Sequence, residues 1–297
     1  MKYYDTVQNF LFEAFPIRGE IVHLNASFQQ IMDQHQYPPL IRRWLGEALV
    51  LVSLLSTLIK FSGRLALQFQ GKGKLKLLLV QCTQGLQLRG LAQWEGDLSD
   101  GEILDSLRQG TIVITIDPDN AKQRYQGIVA WQGQTLSESI EGYFQNSEQL
   151  STRIWVVVDG KSASGFLLQR MPLETNNQRE SAVDHDWEHI NYLTATTLTP
   201  HELTNLDNKT LLHRLYVEED VRLFEAKSLV FQCSCSEKRG ANAILTLGQK
   251  EAEEELLTKQ QIVVKCEFCN HEYVYDRVDV AAIFYKGEDF ASSKQIH

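Results

Sequence analysis

The sequence predicts an α+β protein: a mixed antiparallel-sheet domain first, a helical linker next and a small cysteine-bearing domain last. Three observations carry this. Over residues 1–174 strand signals outnumber helix signals without strict βα alternation, which argues against a doubly wound sheet. Residues 175–232 switch to helical patterning and hold 10 acidic against 5 basic residues, an excess whose self-repulsion weakens compaction. Residues 233–297 gather four of the five cysteines.

The elements follow in order. Asp5 to Phe15 reads as an edge strand. Pro38 to Phe61 carries apolar residues at helical spacing and is expected to be a core helix. Arg64 to Gln70 and Lys74 to Gln81 read as a hairpin around Gly71-Lys72-Gly73. That Gly-Lys-Gly run invites a phosphate-binding reading, but Walker spacing is absent, so turn chemistry is the expectation. Thr111 to Asp117, stopped by Pro118, and Tyr125 to Trp131 are further strands. Thr135 to Phe144 and Glu148 to Leu150 look helical around a break. Ile154 to Asp159 and Gly165 to Met171 complete the strands, with Pro172 ending the last.

The linker opens with the polar stretch Thr175-Asn176-Asn177-Gln178. Thr199-Pro200-His201-Glu202 is a capping box with proline at the first helical position. Leu211, Leu212, Leu215 and Tyr216 form an apolar stripe beyond it. The stripe suits a helix docked on the first domain. The β-branched run Thr194 to Thr199, poor in helix formers, suits a helix that docks only marginally, and composition leaves the two readings even. In the last domain, Gln249 to Lys259 is expected to be a helix after the breaker Gly248. Ile262 to Lys265 and Glu272 to Tyr275 should form a hairpin around Cys266-Glu267-Phe268-Cys269.

Composition removes several function classes. The 297 residues are 43% apolar and carry 29 basic against 38 acidic groups, net −9, so a core is affordable and a nucleic-acid coat is not expected. The longest uncharged apolar run, Ala48 to Ile59, falls well short of the roughly 20 residues that cross a bilayer, so no membrane partner is expected. No secretory signal is visible at Met1 to Asp5, and a cytoplasmic, reducing location is the expectation. Clustered thiols in such a place are more often metal ligands or redox groups than structural disulfides.

The pattern is Cys233-x-Cys235, 30 residues, then Cys266-x-x-Cys269. Two such pairs brought together make a tetrahedron of thiolates, for which zinc is the best fit and iron the main competitor. Four thiolates leave no open coordination position, so a zinc hydrolase is disfavoured. The plain reading is a constitutive zinc ribbon. Against it, a unit this small has few large apolar groups, and structural zinc contributes about 10 to 16 kcal/mol to folding such modules. Thiols this close in sequence could oxidise locally, and such small rings would return under roughly 2 kcal/mol apiece without joining the two halves. Lys265, Lys238 and Arg239 place positive charge nearby, where it favours thiolate. Elsewhere, His185 and His189 share a helix face but lack the Glu that a metalloprotease sets after the first His. Cys82 reads as an inert buried thiol, and Asp117, Asp119, Glu138 and Glu141 form no acid/base pair.

At residue level the chain resembles the redox-regulated bacterial holdase chaperones of the 33-kilodalton heat-shock family. The likeness runs through Arg64-Leu65 to Gly73, Gly142-Tyr143-Phe144-Gln145-Asn146-Ser147-Glu148-Gln149-Leu150, Leu168-Gln169-Arg170-Met171-Pro172, Glu218-Glu219-Asp220-Val221-Arg222-Leu223-Phe224, Cys233-Ser234-Cys235-Ser236 and Cys266-Glu267-Phe268-Cys269. Ser151 stands where the family usually has proline, and Ser162-Ala163-Ser164-Gly165 replaces a more glycine-rich run. The resemblance implies a substrate-binding core at 1–174, a metastable helical linker at 175–232 and a zinc-binding redox switch at 233–297. It implies one zinc ion on Cys233, Cys235, Cys266 and Cys269 in the reduced form. It further implies that oxidation pairs Cys233 with Cys235 and Cys266 with Cys269, releases zinc, loosens the linker and favours a homodimer. That state binds unfolded or misfolded clients without ATP and passes them to ATP-dependent refolding chaperones; no catalytic turnover is expected. Two other readings stay open: a constitutive zinc-ribbon interaction module, and a thiol-disulfide oxidoreductase using Cys266 and Cys269, disfavoured because no thioredoxin-like strand-helix context surrounds them.

Overall fold

The computed structural model describes residues 5–119, 124–172 and 177–292, and divides into two compact units, Met1–Gln232 and Cys233–His297. The architecture is α+β, as expected.

The first unit is built on two six-stranded sheets. β1 (Thr6–Phe12) and β2 (Ile17–Leu24) lead through the short α1 (Ala26–Met32) into α2 (Pro39–Leu58). Leu45, Ala48, Leu49, Leu51, Val52 and Leu55 of α2 are buried around its whole circumference, the signature of a helix enclosed by protein. β3 (Arg64–Gln70), β4 (Leu75–Thr83) and β5 (Gln87–Trp94) follow, then α3 (Asp100–Arg108), β6 (Thr111–Asp117), β7 (Tyr125–Val129), α4 (Leu136–Tyr143), β8 (Thr152–Val158) and β9 (Ala163–Arg170). The linker supplies α5 (Asn177–Thr197), α6 (Pro200–Asn205), α7 (Asn208–Leu215), and three short strands: β10 (Val221–Leu223), β11 (Lys227–Ser228) and β12 (Val230–Phe231).

One sheet runs β10-β1-β2-β9-β8, with β11 also on β1; the other runs β12-β5-β4-β3-β6-β7. Residues of α2 share one core with both sheets, from Leu24 and Leu167 to Leu65 and Val80. Gly165 makes the close approach: a Cβ there would lie 2.2 Å from a methyl of Val50. The opposite face of the first sheet carries Phe10, Phe12, Phe166 and Leu168, and the linker covers it with Ile190, Leu203, Leu211, Leu212, Leu215 and Tyr216. The apolar stripe is therefore docked in this state. β-Branched Thr194 does not end α5, because its hydroxyl donates to Ile190 O at 2.8 Å and lies 2.6 Å from the Tyr216 hydroxyl.

Several elements differ from expectation. The first strand is interior, because the chain returns some 200 residues later to lay β10 and β11 against it. The strand β2 was masked in the pattern by Arg18, Glu20 and His23, polar residues that the fold buries or half-buries. The helix expected to break after Phe144 instead widens into a π turn through Glu148, and Gln149, at φ 56°, ends it. The strand expected to reach Trp131 stops at Val129. The Gly71 to Gly73 segment is a turn joining β3 to β4. Thr175 and Asn176, at the expected polar junction, lie outside the described residues.

The second unit holds α8 (Glu237–Leu247), α9 (Gln249–Lys259), β13 (Ile262–Lys265), β14 (Glu272–Tyr275) and α10 (Arg277–Ser292). The hairpin and α9 match the sequence reading; α8 and α10 had not been read. Its buried apolar cluster among the described residues is small: Ile244, Ala252, Leu256, Ile262, Tyr275 and Val280.

Candidate metal centre

All four predicted cysteines meet. Cys233 and Cys235 precede α8, whose N-cap Ser236 accepts from the Arg239 amide. Cys266 directly follows β13 and Cys269 comes next in a tight turn: the Asn270 amide donates to Cys266 O at 2.8 Å and the Cys266 amide to His271 O at 2.9 Å. Asn270 sits in the left-handed region at φ 55°, which Asn tolerates better than most residues. This turn aims two sulfurs at one point.

The Cys233 and Cys266 sulfurs lie 3.6 Å apart and those of Cys235 and Cys269 3.4 Å apart, with all four within 4.8 Å of one another. A zinc–sulfur bond of about 2.3 Å places tetrahedral sulfurs roughly 3.8 Å apart, so this donor set fits one tetrahedral ion. No disulfide joins the four cysteines, and both of these contacts cross between the two halves of the motif.

The electrostatics favour a cation. Burial pushes the Cys233 and Cys269 thiols up; the other three thiols reinforce this at Cys269, and at Cys233 those of Cys235 and Cys266 do so while that of Cys269 opposes it. Cys235 is held below the ordinary thiol range: burial opposes this, but the Tyr273 hydroxyl donates to its sulfur at 3.2 Å and the other thiols assist. Four thiolates in so small a volume repel unless a positive ion stands among them. Tyr273 is the residue that the sequence reading missed. It lies four positions after Cys269, but only the hairpin turns it toward Cys235. Of the basic residues expected to tune the thiols, Lys265 pairs with Glu272 at 3.9 Å and Arg239 donates to Ser234 Oγ at 2.7 Å.

The other singled-out residues lie elsewhere in the fold. Cys82 is buried in β4, and burial pushes its thiol up to about 11, against reactivity. His185 and His189 lie on α5, where His189 Nε2 meets Glu219 Oε1 at 3.1 Å; the four-cysteine set is the metal-competent group among the described residues. Asp117 pairs with Arg64 and Arg124, and Glu141 with Arg153.

Comparison with known proteins agrees with this fold. The Hsp33 protein family matches residues 5–276. The chain belongs to the Hsp33 family. A 33 kDa chaperonin of Pseudomonas aeruginosa (strain UCBPP-PA14) is 43% identical over 288 residues, covering 96% of each chain. One from Shewanella sp. (strain ANA-3) is 42% identical over 284 residues, covering 95% of this chain and 96% of that one. The crystal structure of the Thermotoga maritima 33 kDa chaperonin superposes with a TM-score of 0.82 at 21% identity, over 97% of this chain and all of that one, which establishes the shared fold. As a member of a chaperone family the protein is a client-binding one. No helix of the described residues is long and apolar enough to cross a membrane.

Proposed function

We propose that this Hsp33-family chaperone is an ATP-independent holdase, silent while reduced and activated by oxidation. The observation that carries the reading is the convergence of all four sulfurs of a unit with almost no core of its own. Cys233, Cys235, Cys266 and Cys269 would hold one zinc ion, which supplies structural cross-linking and no open position for a reactant. Iron would meet the same donors, but zinc needs no redox partner to remain bound in a reducing compartment such as the cytoplasm.

The switch follows from bond bookkeeping. Each disulfide formed from two thiolates gives up two electrons, and the peroxide that accepts them takes two protons from solvent and leaves as two waters. In the pairing that family resemblance implies, Cys233 joins Cys235 and Cys266 joins Cys269. Each thiolate lost weakens the metal, and rings this small restrain little in return. The two halves would then no longer be held by a shared ion, so the tail 233–297 would unfold, the acid-rich linker 175–232 would loosen, and the sheet face of Phe10, Phe12 and Phe166 would become available to unfolded or misfolded clients. A homodimer of the oxidised form and hand-over to ATP-dependent refolding chaperones complete the cycle.

The experiment exposes the purified protein to peroxide at mild heat and follows zinc release, far-UV circular dichroism and aggregation of a denatured client. All three should change together and revert with a thiol reductant. Zinc release with unchanged helix content and no protection of the client would leave a constitutive interaction module instead.

A further inference from the structure

Strand β8 is the outermost strand of its sheet, and its open side lies along a groove of about 810 Å³. The register fixes which backbone groups face it. The Arg170 amide donates to Ser151 O, and the Met171 amide donates to Pro16 O on the other side of β9. With the pairing Thr152–Gln169 through Val158–Ala163, the odd-numbered residues of β8 bond to β9 and the even-numbered ones point outward. One outward group, the Ile154 amide, is taken by the Glu141 carboxylate at 2.7 Å, standing where a neighbouring strand would set a carbonyl. Farther along, the amides and carbonyls of Val156 and Val158 meet no hydrogen-bond partner across that edge among the described residues.

The two flanks of the groove differ. On the α2 and α4 side stand Arg43, Glu138 and Glu141; on the linker side stand Ala195, Leu198 and Leu203. A strand laid against β8 sends alternate side chains to opposite flanks. One parity would meet charge and the other would meet apolar surface. With the linker released, the second flank becomes the bare sheet face of Trp155, Val157 and Phe166, which is apolar too. The edge is recessed between helices, so it admits an isolated strand more readily than a folded sheet carrying its own helices.

We propose that the open edge of β8 at Val156 and Val158 is a client-docking site that takes an extended polypeptide segment as an added antiparallel or parallel strand, with polar and apolar residues alternating. This rests on the client binding proposed above and names the surface that performs it. The recognition is sequence-tolerant, because backbone groups supply the hydrogen bonds and side chains need only match a two-residue period. The exposed edge is also a liability for aggregation, which the Glu141 carboxylate and the flanking helices limit.

The test uses the full chain, reduced and peroxide-treated, with a fluorescein-labelled peptide of about eight residues alternating valine and threonine between lysine ends. A second peptide carries the same side chains but is N-methylated at every other residue, which removes the donors of one edge. Fluorescence anisotropy should show the first peptide binding at least about tenfold more tightly than the second, the equivalent of two or so lost hydrogen bonds. Val156→Pro deletes an outward donor at an edge where proline is tolerated, and should cost a similar factor. Hydrogen exchange should show peptide-dependent protection at the Val156 and Val158 amides in the unsubstituted protein. Equal binding of both peptides, or no binding in either redox state, would overturn the site. So would a dimer in sedimentation that Val156→Pro abolishes, since the edge would then be occupied by a second copy. If oxidised protein protects a denatured client while the two peptides bind alike, the edge fails and the holdase reading survives. If it protects nothing yet discriminates the peptides, the holdase reading fails and the edge stands as a strand-accepting site.

Discussion

The two units of this chain meet the entropy of folding in different ways. In residues 5–232, α2 is enclosed by both sheets, and a second cluster seals the linker onto the far face of the first sheet. Of the side chains described over 233–285, six apolar ones are buried together, while Leu257, Val263, Val274 and Val278 are exposed. Burying one aliphatic side chain contributes about 1.5 to 3 kcal/mol, and ordering each residue costs nearly as much. The first unit closes that balance with hydrocarbon. The second has too little, and four converging sulfurs stand in place of the missing core. A unit stabilised by many small contacts tolerates the loss of any one of them, whereas one that depends on a single centre does not.

The sharpest way to break this contrast is to remove one ligand. Cys269→Ser should lose most of its zinc even under reducing conditions. About 10 to 16 kcal/mol of folding free energy rests on such a centre, so the β13–β14 hairpin and α8 should melt out of the dichroism and amide-exchange record. The melting of the first unit should stay where it was. Unchanged metal affinity, measured by competition with a chelating dye, would take Cys269 out of the ligand set. A compact metal-free tail would remove the contrast altogether.

A smaller effect sharpens the other side. Glu20 is buried in β2, with Thr57 Oγ1 donating to one carboxyl oxygen at 2.8 Å and Asn9 Nδ2 to the other at 3.1 Å. Burial raises its pKa to about 8 from an ordinary 4.5, against the pull of the Thr57 bond, Arg18 and Lys227. A carboxyl whose folded pKa is raised favours folding fully below its unfolded value and loses that contribution as pH climbs through the folded one. The first unit should therefore weaken between about pH 5 and 8, by on the order of 4 kcal/mol if the whole shift is expressed. Glu20→Gln should flatten that slope in urea titrations run at a series of pH values and leave zinc binding untouched. An identical slope in both proteins would show that Glu20 titrates normally.

Legibility divided along the same line. The four-cysteine cluster could be read because its chemistry is local: two short cysteine motifs announce themselves at any distance. The hairpins, Arg64–Gln70 with its partner in the first unit and Ile262–Lys265 with Glu272–Tyr275 in the second, were legible for the same reason, since near neighbours pair. What escaped depends on remote partners. Glu20 and His23 interrupt the apolar alternation of β2, and only the fold supplies the buried partners Thr57, Ser164 and Asn208 that make them acceptable. β10, β11 and β12 are two or three residues each and exist because β1 and β5 await them. α3 carried a readable capping box, Ser99 with Glu102, that the sequence reading passed over. The outward parity of β8 needed the register of two neighbouring strand pairs, which no single-segment pattern contains.

The mildest perturbation falls on the linker, which has the charge of an exposed segment and the packing of a core. Leu211 is fully buried on α7 against the first sheet. Its neighbour Asn208 adds polar ties: Oδ1 accepts from His23 Nε2 at 2.7 Å, and Nδ2 donates to Gln8 Oε1 at 2.8 Å. The Gln8 side-chain Nε2 donates in turn to Phe224 O at 2.7 Å, and because a carbonyl only accepts, the orientation of the whole chain follows back to a His23 whose Nε2 carries a proton. Leu211→Ala leaves those hydrogen bonds in place and removes hydrocarbon alone, at about 3 kcal/mol. If the linker is marginally docked, that loss should free α6 and α7 while zinc stays bound and the α2 core stays folded. Amide exchange should then accelerate over 200–216 only, and protection of a denatured client should appear without peroxide. Acceleration spread evenly through 5–232 would mean that linker and sheets unfold as one body, and that oxidation has no separately releasable segment to act upon.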